Sequence, residues 1–205
     1  MTEVSTGLDQ VLRPSTAEEA RVQGEALLKA ASLSGDHRLR VLGLCKVAES
    51  LEDPRQAAEK VASAKAIAEE QYLEEGLVVV KLQLGRICAR PGGDADQALD
   101  LALDAQRGFQ RLESRAGEAV CSLLLGEVHA MQREKDQALR CFREALTMYR
   151  EMGDGSSAGR VLQRIAQEQL GSAKAVAPAR KAVAAFQATG EAGLEADAWL
   201  MVAQA

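Results

Sequence analysis

Large rings are scarce in this sequence. One Trp, two Tyr and three Phe make up 3% of 205 residues, while hydrophobic residues reach 47%. A core can therefore be buried, but it must be built from Ala, Leu and Val, and there is little on which nucleic-acid bases could stack. A cationic surplus is lacking too. Against 25 Lys and Arg stand 30 Asp and Glu, a formal net charge of −5. General nucleic-acid binders use a basic stripe to neutralise phosphates, so this class is disfavoured. Only four prolines occur, and the composition is not that of a disordered chain. No apolar run reaches the roughly 18 residues of a membrane span; GLVVVKLQLG is interrupted by Lys81. The opening MTEVSTGLDQ has neither the basic start nor the apolar block of a secretory signal. These absences predict a soluble intracellular protein, cytoplasmic or in an organelle after removal of a targeting segment, with no membrane insertion.

Chemistry-bearing constellations are also missing. Cys45, Cys88, Cys121 and Cys141 form no C-x-x-C and no metal-ligand spacing with His37 or His129. They read as small buried hydrophobes in a reducing compartment. PGGDAD lacks the Lys-Ser/Thr and the preceding strand of a phosphate loop. Adjacent glutamates at 18–19, 69–70 and 74–75 read as exposed helix faces. No cofactor and no metal is expected.

What the chain does have is a period. Asp-Gln-Ala-Leu occurs at 96–99 and again at 136–139, and Gln-Ala at 56–57, 97–98 and 137–138. Ala64, Ala105, Ala145 and Ala182 form a second ladder, Gly35, Gly76, Gly117 and Gly159 a third, and Phe109, Tyr149 and Phe186 a fourth. All step by close to forty residues, the mark of a repeat architecture.

Within one period the pattern is helix, turn, helix. Ala138, Leu139, Phe142, Ala145, Leu146 and Tyr149 lie on one stripe of a 3.6-residue helix, as do Val120, Leu123, Leu124 and Val128 before them. Turns are signalled by Asp53-Pro54 as cap and first helical residue, and by Gly92-Gly93 followed by Asp94 with Gln97 as capping-box partner. Gly153 closes one unit, and Pro178 sits in the first turn of a later helix. Helices are predicted near 16–32, 36–51, 55–71, 75–90, 95–112, 116–131, 136–151, 156–169, 174–188 and 192–204. No stretch alternates with a period of two, so no strand is expected. A helix of this length is marginal alone; stacking pairs buries the stripes, and a small residue at each Ala rung lets backbones approach.

These residues resemble the tetratricopeptide repeats. Leu125-Gly126 match the Leu-Gly of the first helix of that repeat, and Ala138, Phe142 and Ala145 match the Ala, Phe and Ala of the second. Leu84-Gly85 with Ala98 and Ala105 match after one inserted residue. Leu44, Ala57 and Ala64 match with Cys45 in place of Gly, and Ile165-Ala166 approximate the pattern in a shortened fourth unit. The period near forty is similar to the longer-repeat branch found in kinesin light chains. The resemblance implies an all-α fold, a right-handed α-solenoid of antiparallel helix pairs with about ten helices. It would comprise an N-terminal arm (1–15) and one array over 16–205. The array has a leading helix (16–35), pairs at 36–75, 76–115, 116–155 and 156–191, and a trailing half-repeat at 192–205. Such an arm stays loose unless the array or a partner ties it down.

The resemblance further implies a non-enzymatic adaptor or scaffold that binds a peptide or helical protein segment in a groove lined by the first helices. The groove positions would be Leu42 and Lys46, Leu82, Arg86 and Arg90, Leu123 and Glu127, then Gln163 and Gln167. The leucines have an alternative reading as packing residues between adjacent helices. Some family members clamp the C-terminal carboxylates of chaperones with Lys and Asn on these helices; Leu42, Leu82 and Leu123 stand there, so that clamp is expected to be absent. Cys88 and His129 fall in equivalent slots of successive repeats, a spacing of about 8–10 Å between packed helices. The family pattern turns both into the pair, so they read as packing residues rather than a catalytic couple. Trp199, Leu200, Met201 and Val202 are consecutive near the end of the sequence, and one side of that helix should stay apolar as a patch for another chain or further repeats. That patch supports an alternative function, a structural subunit docked permanently in a larger complex through its convex face and ends.

Overall fold

The computed structural model describes residue 8 and residues 11–205. Ten helices of thirteen residues or more run through the described residues, and among these no strand occurs. They are α1 Ala17–Ser34, α2 His37–Ser50, α3 Pro54–Glu70, α4 Glu74–Cys88, α5 Ala95–Arg111, α6 Arg115–Met131, α7 Lys135–Glu151, α8 Gly155–Glu168, α9 Val176–Thr189 and α10 Ala192–Gln204. Each lies within two residues of the span predicted from periodicity. The remaining residues of the N-terminal arm, 1–7 and 9–10, lie outside the described residues.

Local chemistry sets the boundaries. Thr16 and Glu19 close a capping box at the head of α1: Glu19 accepts from the Thr16 amide at 2.7 Å, and Thr16 Oγ1 from the Glu19 amide at 3.3 Å. Asp36 caps α2, Asp53 with Pro54 opens α3, and Asp154 accepts from the Ser157 amide at 3.0 Å to start α8. Asp94 caps α5 through the amides of Asp96 and Gln97. The Gln97 side chain turns elsewhere, however. Its Oε1 receives the Cys88 thiol at 3.3 Å, in place of the expected capping-box bond.

The chain divides into two compact units, Met1–Gly117 and Glu118–Ala205. In the first, α1 packs on α2, α2 on α3, α3 on α4 and α4 on α5, and α2 also meets α4. Neighbours in sequence are thus neighbours in space, and the leading helices of successive pairs touch. The second unit repeats the scheme, with α7 on α8, α8 on α9, α9 on α10 and α8 against α10.

The Ala ladder does what a small residue predicts. Ala64, Ala105, Ala145 and Ala182 have no accessible surface, nor have Ala57, Ala98, Ala138 and Ala175 one helical stretch earlier. Phe109, Tyr149 and Phe186 are buried as well. Opposite two of these rings lie glycines of an adjacent helix: a Cβ on Gly117 of the following helix would strike Phe109, and one on Gly159 of the preceding helix would come within 2.7 Å of Phe186. The Gly ladder needs one correction. Gly76, Gly117 and Gly159 sit inside helices, whereas Gly35 is a turn residue with φ 72°. The turn positions form their own ladder of left-handed backbone: Gly35, Tyr72, Glu113, Gly153 and Gly190 between pairs, and Gly92, Arg133 and Gly171 within them. Three of these are not glycine, and a Cβ makes that conformation costly.

Candidate partner-binding surface

Residues 42, 46 and 49 share one face of α2, since spacings of four and three return to the same side of a helix. Residues 82 and 86 share the corresponding face of α4, and α2 and α4 are in contact. On this face of the first unit lies a charged cluster. Lys46 Nζ is 3.1 Å from Glu49 Oε2, and Arg86 reaches the same oxygen at 3.0 Å. Glu49 Oε1 receives the Ser15 hydroxyl at 3.1 Å, and Lys46 donates a further bond of 3.1 Å to the carbonyl of Arg13. Arg90, just past the end of α4, donates to the Glu52 carbonyl at 3.3 Å.

The cluster is enclosed. Lys46 has no accessible surface, and the side chains of Glu49 and Arg86 keep only 15% and 19%. Burial holds the Lys46 ammonium below its ordinary pKa, partly offset by Glu49. Burial pushes Glu49 up, but Arg86 and then Lys46 outweigh it and leave the carboxyl below its usual range. A charge removed from water costs several kcal/mol; one carboxylate between two cations offsets that here. Leu42 and Leu82, one turn before Lys46 and Arg86 on the same faces, are buried.

The second unit presents the equivalent slots in the open. Glu127 and Arg164 pair at 2.8 Å with 30% and 48% of their side chains exposed. Gln167 is exposed and accepts from Arg164 at 3.3 Å. Gln163 is turned to α10, donating to the Leu194 carbonyl at 3.4 Å, and Leu123 is buried. At the last helix, Trp199 and Leu200 are 50% and 62% exposed, Met201 and Val202 are half-buried, and Ala198 faces inward. The Trp199 indole donates to Glu195 at 3.3 Å.

The sequence reading missed two participants. Glu49, the carboxylate that joins Lys46 to Arg86, was signalled only by its three-residue spacing from Lys46. The arm was expected to stay loose unless the array or a partner held it, with neither chosen and no contact residue named; Leu8, Val11 and Leu12 are buried and Arg13 and Ser15 are bonded to α2. Cys88 and His129 each have a local partner instead of each other: Gln97 for the thiol, and Glu134, at 2.7 Å, for the imidazole Nδ1. Burial, with Asp94 second, raises the Cys88 thiol pKa, which is the opposite of nucleophile activation. Cys45 is pushed up to about 12, by burial and then by Glu49. Among the described residues no group of three or more His, Cys, Asp or Glu could hold a metal ion, and no helix is long and apolar enough to cross a membrane.

Stacked helix pairs with a side-chain face repeated every forty residues define a helical-repeat protein. Residues 77–151, from α4 to α7, match the family model described as tetratricopeptide repeat. Among solved structures, the chain is similar to a Signal Transduction ATPase with Numerous Domains (STAND) protein with a tetratricopeptide repeat sensor from Pyrococcus horikoshii. The TM-score is 0.64 at 17% identity, covering 85% of this chain. This chain spans 28% of the length of that one. No curated protein matches the sequence.

Proposed function

We propose that the chain is a non-enzymatic adaptor that binds a segment of another protein along the face carried by the first helices of its pairs. The observation that supports this most is that the face in the first unit already holds peptide: Lys46 donates to a main-chain carbonyl, that of Arg13, and Glu49 accepts from Ser15. Groups that receive one segment in this way suit another of similar chemistry. Arg86 and Arg90 supply the polar edge in the first unit, and Glu127 and Gln167 in the second. Leu42, Leu82 and Leu123, which are buried, set the spacing of the helices. Arg86 and Arg90 favour a segment with acidic flanks.

Affinity capture followed by mass spectrometry tests the reading, with the wild-type chain beside an Arg86→Glu/Arg90→Glu variant. A partner recovered by the wild type and lost from the variant is expected. Equal recovery by both contradicts binding at this face.

A second reading is favoured by the exposed Trp199 and Leu200 of α10: a subunit docked in a larger assembly through its end. The archaeal repeats to which the chain is similar are described as a sensor within an ATPase, and a signalling assembly is one such setting. Size-exclusion chromatography with light scattering separates the two readings. A stable lone monomer supports the adaptor, and aggregation relieved only by co-expressed neighbours supports the subunit.

A further inference from the structure

Leu8 and residues 11–16, ahead of α1, are held against the first unit without belonging to a helix pair. Leu8, Val11 and Leu12 are helical and lose nearly all their surface, and their spacing of three and four puts them on one side of a helix. The chain then bends at Arg13, and residues 14–16 have no regular structure. Over this bend it is bonded to two side chains of the α2 face, Arg13 carbonyl to Lys46 and Ser15 hydroxyl to Glu49. These are the groups that the adaptor reading assigns to a partner. Lys46, bonded to this segment, has no accessible surface.

Resting on the adaptor reading of this face, we propose that Leu8 and residues 11–16 are an internal occupant of the first unit's partner surface. The external partner is then an amphipathic protein segment of the same pattern. Its apolar residues fall at i, i+3 and i+4, as Leu8, Val11 and Leu12 do. A main-chain carbonyl for Lys46 follows at i+5, and a hydroxyl for Glu49 at i+7. The arm joins α1 through only a few irregular residues before the Thr16 cap. A short tether of this kind holds a segment at an effective concentration of about millimolar. A partner binding in trans must displace it, and an arm closed about 90–99% of the time weakens that partner about 10- to 100-fold.

The test uses the full chain and, as probe, a fluorescein-labelled synthetic peptide copying residues 4–16, read by anisotropy. A Leu8→Asp/Leu12→Asp chain, whose arm carries charge where it must be apolar, is expected to bind the peptide at least about tenfold more tightly than the wild type does. The peptide bearing the same two substitutions is expected not to bind. Equal binding of the peptide by both chains overturns the proposal, as does no binding by a variant that retains wild-type helicity. Should the variant lose its helicity, hydrogen exchange on the wild type decides. Amides of residues 11–13, 15 and 16 exchanging at least about tenfold faster than those of α2 support an arm that opens by itself. Equal protection makes it a fixed part of the unit and overturns the proposal. Peptide binding and exchange are read without any partner, so their failure is distinct from a failure of Arg86→Glu/Arg90→Glu to abolish capture.

Discussion

Positions 46 and 86 in the first unit and 127 and 167 in the second are one repeat slot met four times, yet their surroundings diverge. Lys46 and Arg86 close on Glu49 under a covering segment. Glu127 and Gln167 share Arg164 in the open. The backbone of each helix pair is the same design, so the difference comes from what is laid over it and from one carboxylate three residues past the slot. The aromatic ladder shows a second divergence. The second unit fills its interior with Tyr149 and Phe186, whereas the equivalent position early in the first unit is Ala68, also fully buried, facing Gly76 together with Val41. A repeat tolerates either, provided the facing residues make up the volume.

This contrast can be broken by substitution. Phe186→Ala should have the largest effect, about 3–5 kcal/mol of lost stability in urea denaturation, because a buried ring leaves a cavity against Gly159. Ala68→Gly at the first-unit equivalent removes only one methyl and should cost no more than about 1 kcal/mol through helix propensity. A comparable loss at both would mean that the two interiors do not differ in kind.

Next comes Glu49→Gln, which leaves Lys46 and Arg86 enclosed without their shared anion and should cost about 3 kcal/mol. Glu127→Gln breaks a half-exposed pair and should cost less than about 1 kcal/mol. The acid limb of stability sharpens the same point. The folded-state pKa of Glu49 is depressed below its ordinary value of 4.5. Its contribution is therefore complete above that value and is lost as pH falls through the folded-state pKa. Denaturation measured from pH 6 down to about pH 3 should show a stability loss in the wild type that Glu49→Gln reduces and Glu127→Gln does not.

The smallest effect belongs to a turn. Tyr72 holds a φ of 52° and is 92% exposed, so Tyr72→Gly removes strain and forfeits little contact. Left-handed backbone costs a non-glycine residue about 1–2 kcal/mol, and glycine returns part of that as unfolded-state entropy. A net gain of about 0.5 kcal/mol in thermal or urea denaturation is expected; destabilisation would mean that the ring is held by contacts after all.

Much of this architecture could be read from residue spacing because its determinants are local. Caps at Asp53, Asp94 and Asp154 and the Ala rungs act within a turn or two of the chain, so helix limits emerged to within two residues. The errors have physical causes. Gly35 was grouped with Gly76, Gly117 and Gly159 because identity alone does not separate a glycine needed for positive φ from one needed for close approach. Tyr72, Glu113 and Arg133 gave no sign of a left-handed turn because their composition argues against one. The proposed partner surface was legible only in part. Slots at 42, 46, 82 and 86 came from the resemblance to tetratricopeptide repeats. Their covering by the arm depends on contacts between residues more than thirty positions apart, which no local pattern records.

The account turns on Lys46 being sealed in the folded chain by residues ahead of α1. Native acetylation with a lysine-reactive ester, read site by site by mass spectrometry, addresses that directly. Lys65, with 54% of its side chain exposed, is the internal standard. Modification of Lys46 at least about tenfold slower than Lys65, the rate tracking the small open population, is the predicted result; equal rates at the two lysines would contradict it.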